Sequence, residues 1–329
     1  MEHDSGSIIN LAVTRDGTKV ISSDEEGRIK LWDVESHKLV REWTCSAGYP
    51  KITISPDDRF VAVGSWGMVE IYSMKGGQVN RSIDVGDDDD EFASVWCISF
   101  SPNGDKLACG SIGSNIRVYD VKTGALILGP LDHNYNITCL LWSRDGDRLF
   151  SASYETIRCW NAKTGEQIGH RWTGQTDWIF SLSLSPDGSI LASASKDKYV
   201  RFWDATTGDH IGQHLQHDGS VRVVSFSPSG EFVASIDEKK IYLWRVPWRS
   251  SVTLEIDCIL SGLTPSYATT STTSSCCTLN TVSFLFDLLA KSGTTVSAVR
   301  PPHRISSSGG SNPPYHQNKQ SVFGSRKFW

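Results

Sequence analysis

Six copies of one unit occupy the first three-quarters of the chain, and their regular spacing restricts it to a short menu of repeat architectures. Each copy reads as a short apolar strand, a turn of the type Ser-Pro-Asp-Gly, a strand of small residues and a strand ending in a large aromatic. The fullest copy uses residues 179–184, 185–188, 191–195 and 199–204. The turns begin at Thr14, Ser55, Ser101, Ser143, Ser185 and Ser227, giving spacings of 41, 46, 42, 42 and 42 residues. A second landmark keeps the same beat: Trp32, Tyr72, Tyr119, Trp160, Trp203 and Trp244.

Apolar and polar residues alternate at period two in these runs, as in Ile98 and Phe100 against Ser99 and Ser101, which is the signature of a strand with unlike faces. In the turn, Pro presets its own backbone angle, Asp tolerates the third position and Gly closes the fourth without steric cost. The small second strand (Ala192, Ser193, Ala194; Ser151, Ala152, Ser153) lets neighbouring units approach closely. Segments such as Thr123-Gly124, Thr164-Gly165 and Thr207-Gly208 lead into a fourth strand, expected near residues 126–128 or 210–213. A period of about 42 residues with four strands is that of a propeller blade, and such sheets bury their faces only by stacking around an axis. The expected fold is all-β: a propeller of about six four-stranded blades.

These residues resemble the WD-repeat (WD40) family over about residues 3–247. The naming Trp-Asp pair stands at Trp32-Asp33 and Trp203-Asp204, with Tyr119-Asp120 and Trp160-Asn161 as variants. The resemblance implies a structural network of His, Ser, Asp and Trp, matched best by His217, Ser235, Asp237 and Trp244; the fifth repeat carries Gln175 in place of His. The wording DWIFSLSLSPDG is most similar to fungal arrays attached to NTPase-type signalling proteins.

The chain has 329 residues and a net charge of −5. Residues 1–247 hold 25 basic and 34 acidic side chains, an acidic ring that argues against a nucleic-acid groove. Eight cysteines are scattered without paired metal-type spacing, as expected of small core residues in a reducing compartment. No apolar run approaches the roughly 20 residues that span a bilayer. A cytoplasmic or nuclear location is expected, with no membrane partner.

After Trp248 the repeat stops, and Ser and Thr supply 15 of the 32 residues from 250 to 281. The expected division is a propeller at 3–258 and a low-complexity, disordered tail at 259–329. Within it, residues 282–289 are apolar enough to dock. Residues 252–258 alternate like a strand and are expected to complete the sixth blade, since only Met1 and Glu2 precede His3. A competing expectation is an incomplete array, a fragment of a larger ring.

Alignment on the turns places Ile9, Pro50, Trp96, Thr138, Phe180 and Arg222 at one equivalent position on the top of the ring, with Ser94, Asn136, Trp178 and Ser220 two residues earlier. Other top loops carry Trp66, Tyr154 and Lys196. Aromatics and Arg anchor protein interfaces, so Trp178, Phe180, Trp96, Arg222, Trp66, Tyr154 and Asn136 are the candidate partner-binding residues. Trp178 is expected to stay exposed and Trp96 to join the core. The acidic run 87–91 reads as a solvated connection. No nucleophile with a base, paired carboxylates or phosphate-cradling loop stands in its required context, so neither catalysis nor a cofactor is expected. The expected function is a non-enzymatic scaffold that offers its top face to a peptide or protein. The alternative is a sensing or autoinhibitory module from a larger NTPase-type signalling protein.

Overall fold

The computed structural model describes residues 7–45, 48–86, 94–238, 240–246, 255–258 and 298–299. Blade one is β1 (Ile8–Val13), β2 (Lys19–Asp24), β3 (Arg28–Asp33) and β4 (Leu39–Thr44); blade two is β5 (Lys51–Ile54), β6 (Phe60–Gly64), β7 (Met68–Ser73) and β8 (Val79–Asp84). Blade three comprises β9 (Val95–Phe100), β10 (Lys106–Ser111), β11 (Asn115–Asp120) and β12 (Leu126–Asp132); blade four, β13 (Cys139–Trp142), β14 (Arg148–Ala152), β15 (Thr156–Asn161) and β16 (Gln167–Thr173). Blade five is β17 (Ile179–Leu184), β18 (Ile190–Ser195), β19 (Tyr199–Asp204) and β20 (Leu215–Gln216). Blade six is β21 (Val223–Phe226), β22 (Phe232–Ile236), β23 (Ile241–Arg245) and β24 (Glu255–Cys258), with a two-residue β25 (Ala298–Val299) beyond it. Each sheet is ordered as the chain runs, from inner to outer strand. This is the six-bladed propeller that the spacing predicts.

The expected sixth outer strand forms through Glu255–Cys258, which pairs antiparallel with β23 from Ile241↔Cys258 to Trp244↔Glu255. Residues 252–254 lie outside the described residues, as do the acidic run 87–91, the apolar stretch 282–289 and all of the tail except Ala298–Val299. That pair bonds to Glu255 and Ile256 as a fifth strand. Blade five departs from expectation. Residues 210–213 make only a bridge, Trp203↔His210, because the chain loops out through Gly212 at φ +62° and rejoins the sheet at Leu215.

The choice between Trp and Tyr on the third strand decides what the second strand carries. Trp32, Trp160, Trp203 and Trp244 each donate the indole N–H to a buried serine hydroxyl, Ser22, Ser151, Ser193 and Ser235, at 2.8–2.9 Å. A buried indole N–H left unpaired costs about 1–3 kcal/mol, so the serine is obligatory. Tyr72 and Tyr119 have no such donor, and the register sets Val63 and Cys109 at the serine position instead.

In blade six the network continues. Ser235 Oγ lies 2.6 Å from His217 Nε2, and His217 Nδ1 faces the Leu215 carbonyl at 3.3 Å. A carbonyl only accepts, so Nδ1 carries the proton and Nε2 accepts from Ser235. Gln175 takes that place in blade five with the opposite polarity, donating its Nε2–H to Ser193 Oγ at 2.9 Å, so that Ser193 accepts from both Gln175 and Trp203. His133 stands at the same 18-residue offset from Ser151 but is turned otherwise: its Nδ1 accepts from the Asn134 N–H, and its Nε2 has no hydrogen-bond partner among the described residues.

Two sets of contacts run in one direction between successive blades, the bottom set across the first five seams and the rim set across the first four. At the bottom, the second turn residue of one blade lies under the fourth of the following blade: Pro56 against Gly104, Pro102 against Gly146 and Pro186 against Gly230. Between blades one and two the fourth residue is Asp58, whose carboxylate accepts the Arg15 N–H at 2.9 Å. At the rim, the outer strand of one blade covers the glycine of the next blade's outer turn: Arg41 on Gly77, Arg81 on Gly124, Leu131 on Gly165 and Trp172 on Gly208.

Each of the first five seams also holds one apolar cluster drawn from both blades, such as Ile21 and Leu31 with Ile52 and Tyr72. At the sixth seam the described residues form two clusters, Val13, Val20 and Trp32 on blade one and Val223 with Ala234 on blade six. A Cβ added at Gly17, where the pattern would set Pro228, would meet nothing within 4 Å.

Burial holds His217 neutral, its pKa lowered to about 4, and lowers that of His133 to about 3, helped by Arg158 and Arg171. Unfolded, both imidazoles ionise near 6.5, so the unfolded chain binds more protons as pH falls from there. Stability is full above about 6.5 and drains away toward pH 4. Urea titrations across that window should show the loss, and His217→Gln should reduce its slope by about 1 kcal/mol per pH unit.

Gly208 has φ +81°, and a Cβ there would meet Trp172 Nε1 at 2.0 Å, whereas Gly169 has φ +67° with open space around it. In the same assay Gly208→Ala should cost about 3 kcal/mol or more and Gly169→Ala about 1 kcal/mol. Equal costs would show that the rim contact contributes nothing.

Candidate functional site

The top of the ring is built from the loops joining second to third strands and from the connections that lead into each inner strand. Backbone hydrogen bonds cross-link these loops: Ile179 N to Tyr154 O at 2.9 Å, Lys196 N to Trp178 O at 2.8 Å and Val221 N to Ser195 O at 3.0 Å. The side chains they carry therefore stand on a braced surface.

Inner strands differ in how they start. In β1, β9 and β17 the pairing with the second strand slips by one residue, leaving Ile9, Trp96 and Phe180 as the unpaired residue of a bulge. A bulge re-aims the side chain it carries. In blades two, four and six the regular strand starts two residues later, after Pro50, Thr138 and Arg222.

Three of the sequence-predicted residues meet. Trp96 and Trp178 have ring centroids 6.4 Å apart, and Tyr154 meets Trp178 edge-on at 5.5 Å. Tyr135 extends the row, 5.4 Å from Tyr154. Separations of 4.5–7 Å with tilted or edge-on planes are those that aromatic quadrupoles favour. Trp178 and Trp96 are both half-buried. Trp178 is thus less exposed than expected, and Trp96 stays out of the core because each ring shields one face of the other.

A second pair forms beside this row. The Arg222 guanidinium lies 4.5 Å over the Phe180 ring, and Phe180 itself is buried. Phe180 therefore supports Arg222 from beneath and is not itself an exposed anchor. Asn136 is half-buried at the base of the Tyr135 loop. Trp66 is 55% exposed, and its loop bridges to Ser94 at the start of blade three. Sequence reasoning missed Tyr49, Ile112 and Tyr135, all exposed on top loops. Alignment on the turns registers inner strands and loses count in loops of unequal length, although Tyr135 adjoins Asn136.

The central channel opens between the bottom turns as a cavity of about 860 Å³, lined by residues such as Thr14, Ser55, Leu140, Ser183 and Ser227. None of the seven candidates lines it. Among the described residues no group of three or more His, Cys, Asp or Glu side chains could hold a metal ion. The cysteines at 45, 97, 109, 139 and 159 are buried thiols that form no disulfide, and burial pushes the Cys109 thiol up to about 12 and Cys159 to about 11.

The model of the WD domain, G-beta repeat, matches residues 1–33, 88–120, 127–161, 166–204 and 208–245, more than half of the chain. The chain belongs to the WD40 family. Blade two falls outside the matched segments yet forms the same four-stranded sheet.

Similar proteins include Protein groucho of Drosophila melanogaster, 25% identical over 75% of this chain and 34% of that protein. Transcription factor unc-37 of Caenorhabditis elegans is 24% identical over 77% of this chain and 42% of its own length. Autophagy-related protein 16 of Arabidopsis thaliana is 23% identical over 71% and 46% respectively. The chain spans between about a third and a half of the length of these relatives. WD40 propellers typically mediate protein–protein interactions, and the fold is of a non-catalytic scaffold type.

Because Phe180 is buried and Trp178 only half so, truncating them should separate fold from surface. Phe180→Ala should cost about 3 kcal/mol and Trp178→Ala about 1 kcal/mol in urea denaturation. A Trp178→Ala cost as large as that of Phe180→Ala would mean that the tryptophan is a packing residue.

Proposed function

We propose that this chain is a non-enzymatic interaction scaffold that presents the top face of its propeller to a peptide or protein partner. The observation that carries this reading is the row Trp96, Trp178, Tyr154 and Tyr135, continuous across blades three to five and open to solvent at the Tyr135 end. Contiguous aromatic surface of this kind is rare without a partner to cover it. Aromatic anchors give affinity at a low cost in side-chain freedom, and their rigid backing by cross-linked loops lowers the ordering cost further.

Affinity arises where half-buried rings lose their remaining water: Trp178 and Trp96 at the centre, with Trp66, Tyr154 and Asn136 toward the edge. Arg222 adds directional hydrogen bonds to a carbonyl or carboxylate.

The test is selection of binders to the full chain from a displayed peptide library, followed by affinity measurement on variants. Trp178→Ala combined with Tyr135→Ala should weaken the selected peptides at least ten-fold while leaving the denaturation midpoint within a few degrees. Leu126→Ser with Ile127→Ser, on the exposed outer strand of blade three, should leave affinity unchanged. Peptides that bind the aromatic variant as tightly as the natural chain would place the interaction elsewhere.

A further inference from the structure

At Trp178 the aromatic row adjoins two cations whose ionic partners stand off. Lys196 Nζ lies 3.6 Å from Asp177 Oδ2, and Arg222 Nη2 lies 4.0 Å from Glu238 Oε1. Both separations exceed hydrogen-bond reach. Two other cations in blades five and six are closely held: Arg201 to Asp197 at 2.6 Å and Lys240 to Asp218 at 2.9 Å. Asp177 is meanwhile engaged with the backbone, its Oδ1 accepting the Trp178 N–H at 2.8 Å.

Backbone bonds bring these groups to one place. Lys196 N bonds to Trp178 O, so the lysine leaves the surface beside the tryptophan; Val221 N bonds to Ser195 O, which sets Arg222 against the same loop. The Phe180 ring holds the Arg222 guanidinium 4.5 Å above it, which limits where that group can sit. A guanidinium carries its N–H donors in a planar fork that matches a carboxylate.

We propose that the top face recognises an acidic peptide: a large apolar side chain against Trp178 and Tyr154, followed closely by an Asp or Glu carboxylate held between Lys196 and Arg222. This rests on the scaffold reading above and specifies the partner's chemistry. The incoming carboxylate supplies the short, charge-assisted hydrogen bonds that Asp177 and Glu238 do not. A basic peptide would meet the same two cations, and the carboxylates beside them, Asp177 and Glu238, already face them.

The test uses a set of synthetic peptides with Phe fixed at one position and the next two positions occupied by Asp or Glu, by Asn or Gln, or by Lys or Arg. Fluorescence polarisation with the full chain at low and moderate salt should rank the acidic set at least ten-fold tighter than its amide counterparts, with the gap narrowing as salt rises. Lys196→Gln with Arg222→Gln should abolish that gap while Phe-to-Ala replacement in the peptide still weakens binding. Equal affinity for acidic and amide peptides, or preference for the basic set, would overturn the proposal and leave the aromatic face intact. Peptides that bind without regard to their Phe, and equally to Trp178→Ala, would overturn both readings.

Discussion

A four-stranded sheet of this composition has two apolar faces and, among the described residues, no helix to cover either. Everything else in the molecule follows from the need of each blade for a neighbour. The small residues of the second strands, Ala192 and Ala194 or Ala152, are fully buried because the next sheet must come close. The glycines of the turns serve the same end, since Gly104 and Gly230 leave room for the proline of the preceding blade. Even the Trp–Ser pairs belong here: a ring large enough to fill the wedge between sheets brings an indole N–H with it, and the serine satisfies that donor.

The architecture was legible because it is written many times over. A turn and an aromatic repeated in register identify a blade even where one signal is weak, as in blade two, which has Ser55-Pro56-Asp57-Asp58 for its turn and Tyr72 for its Trp. The network at His217, Ser235 and Trp244 and the substitution at Gln175 were readable for the same reason. His133 was not, because its side-chain direction depends on the Asn134 N–H and no spacing rule encodes that choice. The outer strand of blade five was misplaced because Thr207-Gly208 signals that a turn occurs without saying how far the chain must travel before Leu215 rejoins the sheet.

The top face was legible only in part. Inner-strand positions can be counted from the turns, so Trp96, Phe180 and Arg222 were found at one level. What they do at that level depends on their neighbours. Phe180 lies beneath Arg222 while Trp96 leans on Trp178, and the difference arises between blades, among residues some 42–82 positions apart. Tyr135 lies in a connection whose length varies from blade to blade, and only its proximity to Tyr154 reveals its membership in the row.

The contacts between blades have a direction: a proline or outer strand reaches forward, and a glycine receives. Each of these seams is completed by the two blades that meet there, so the identity of a side chain on one side is answered from the other. Departures from the common form in one blade are likewise met by the adjoining one alone, as when Asp58 stands in for glycine and binds Arg15.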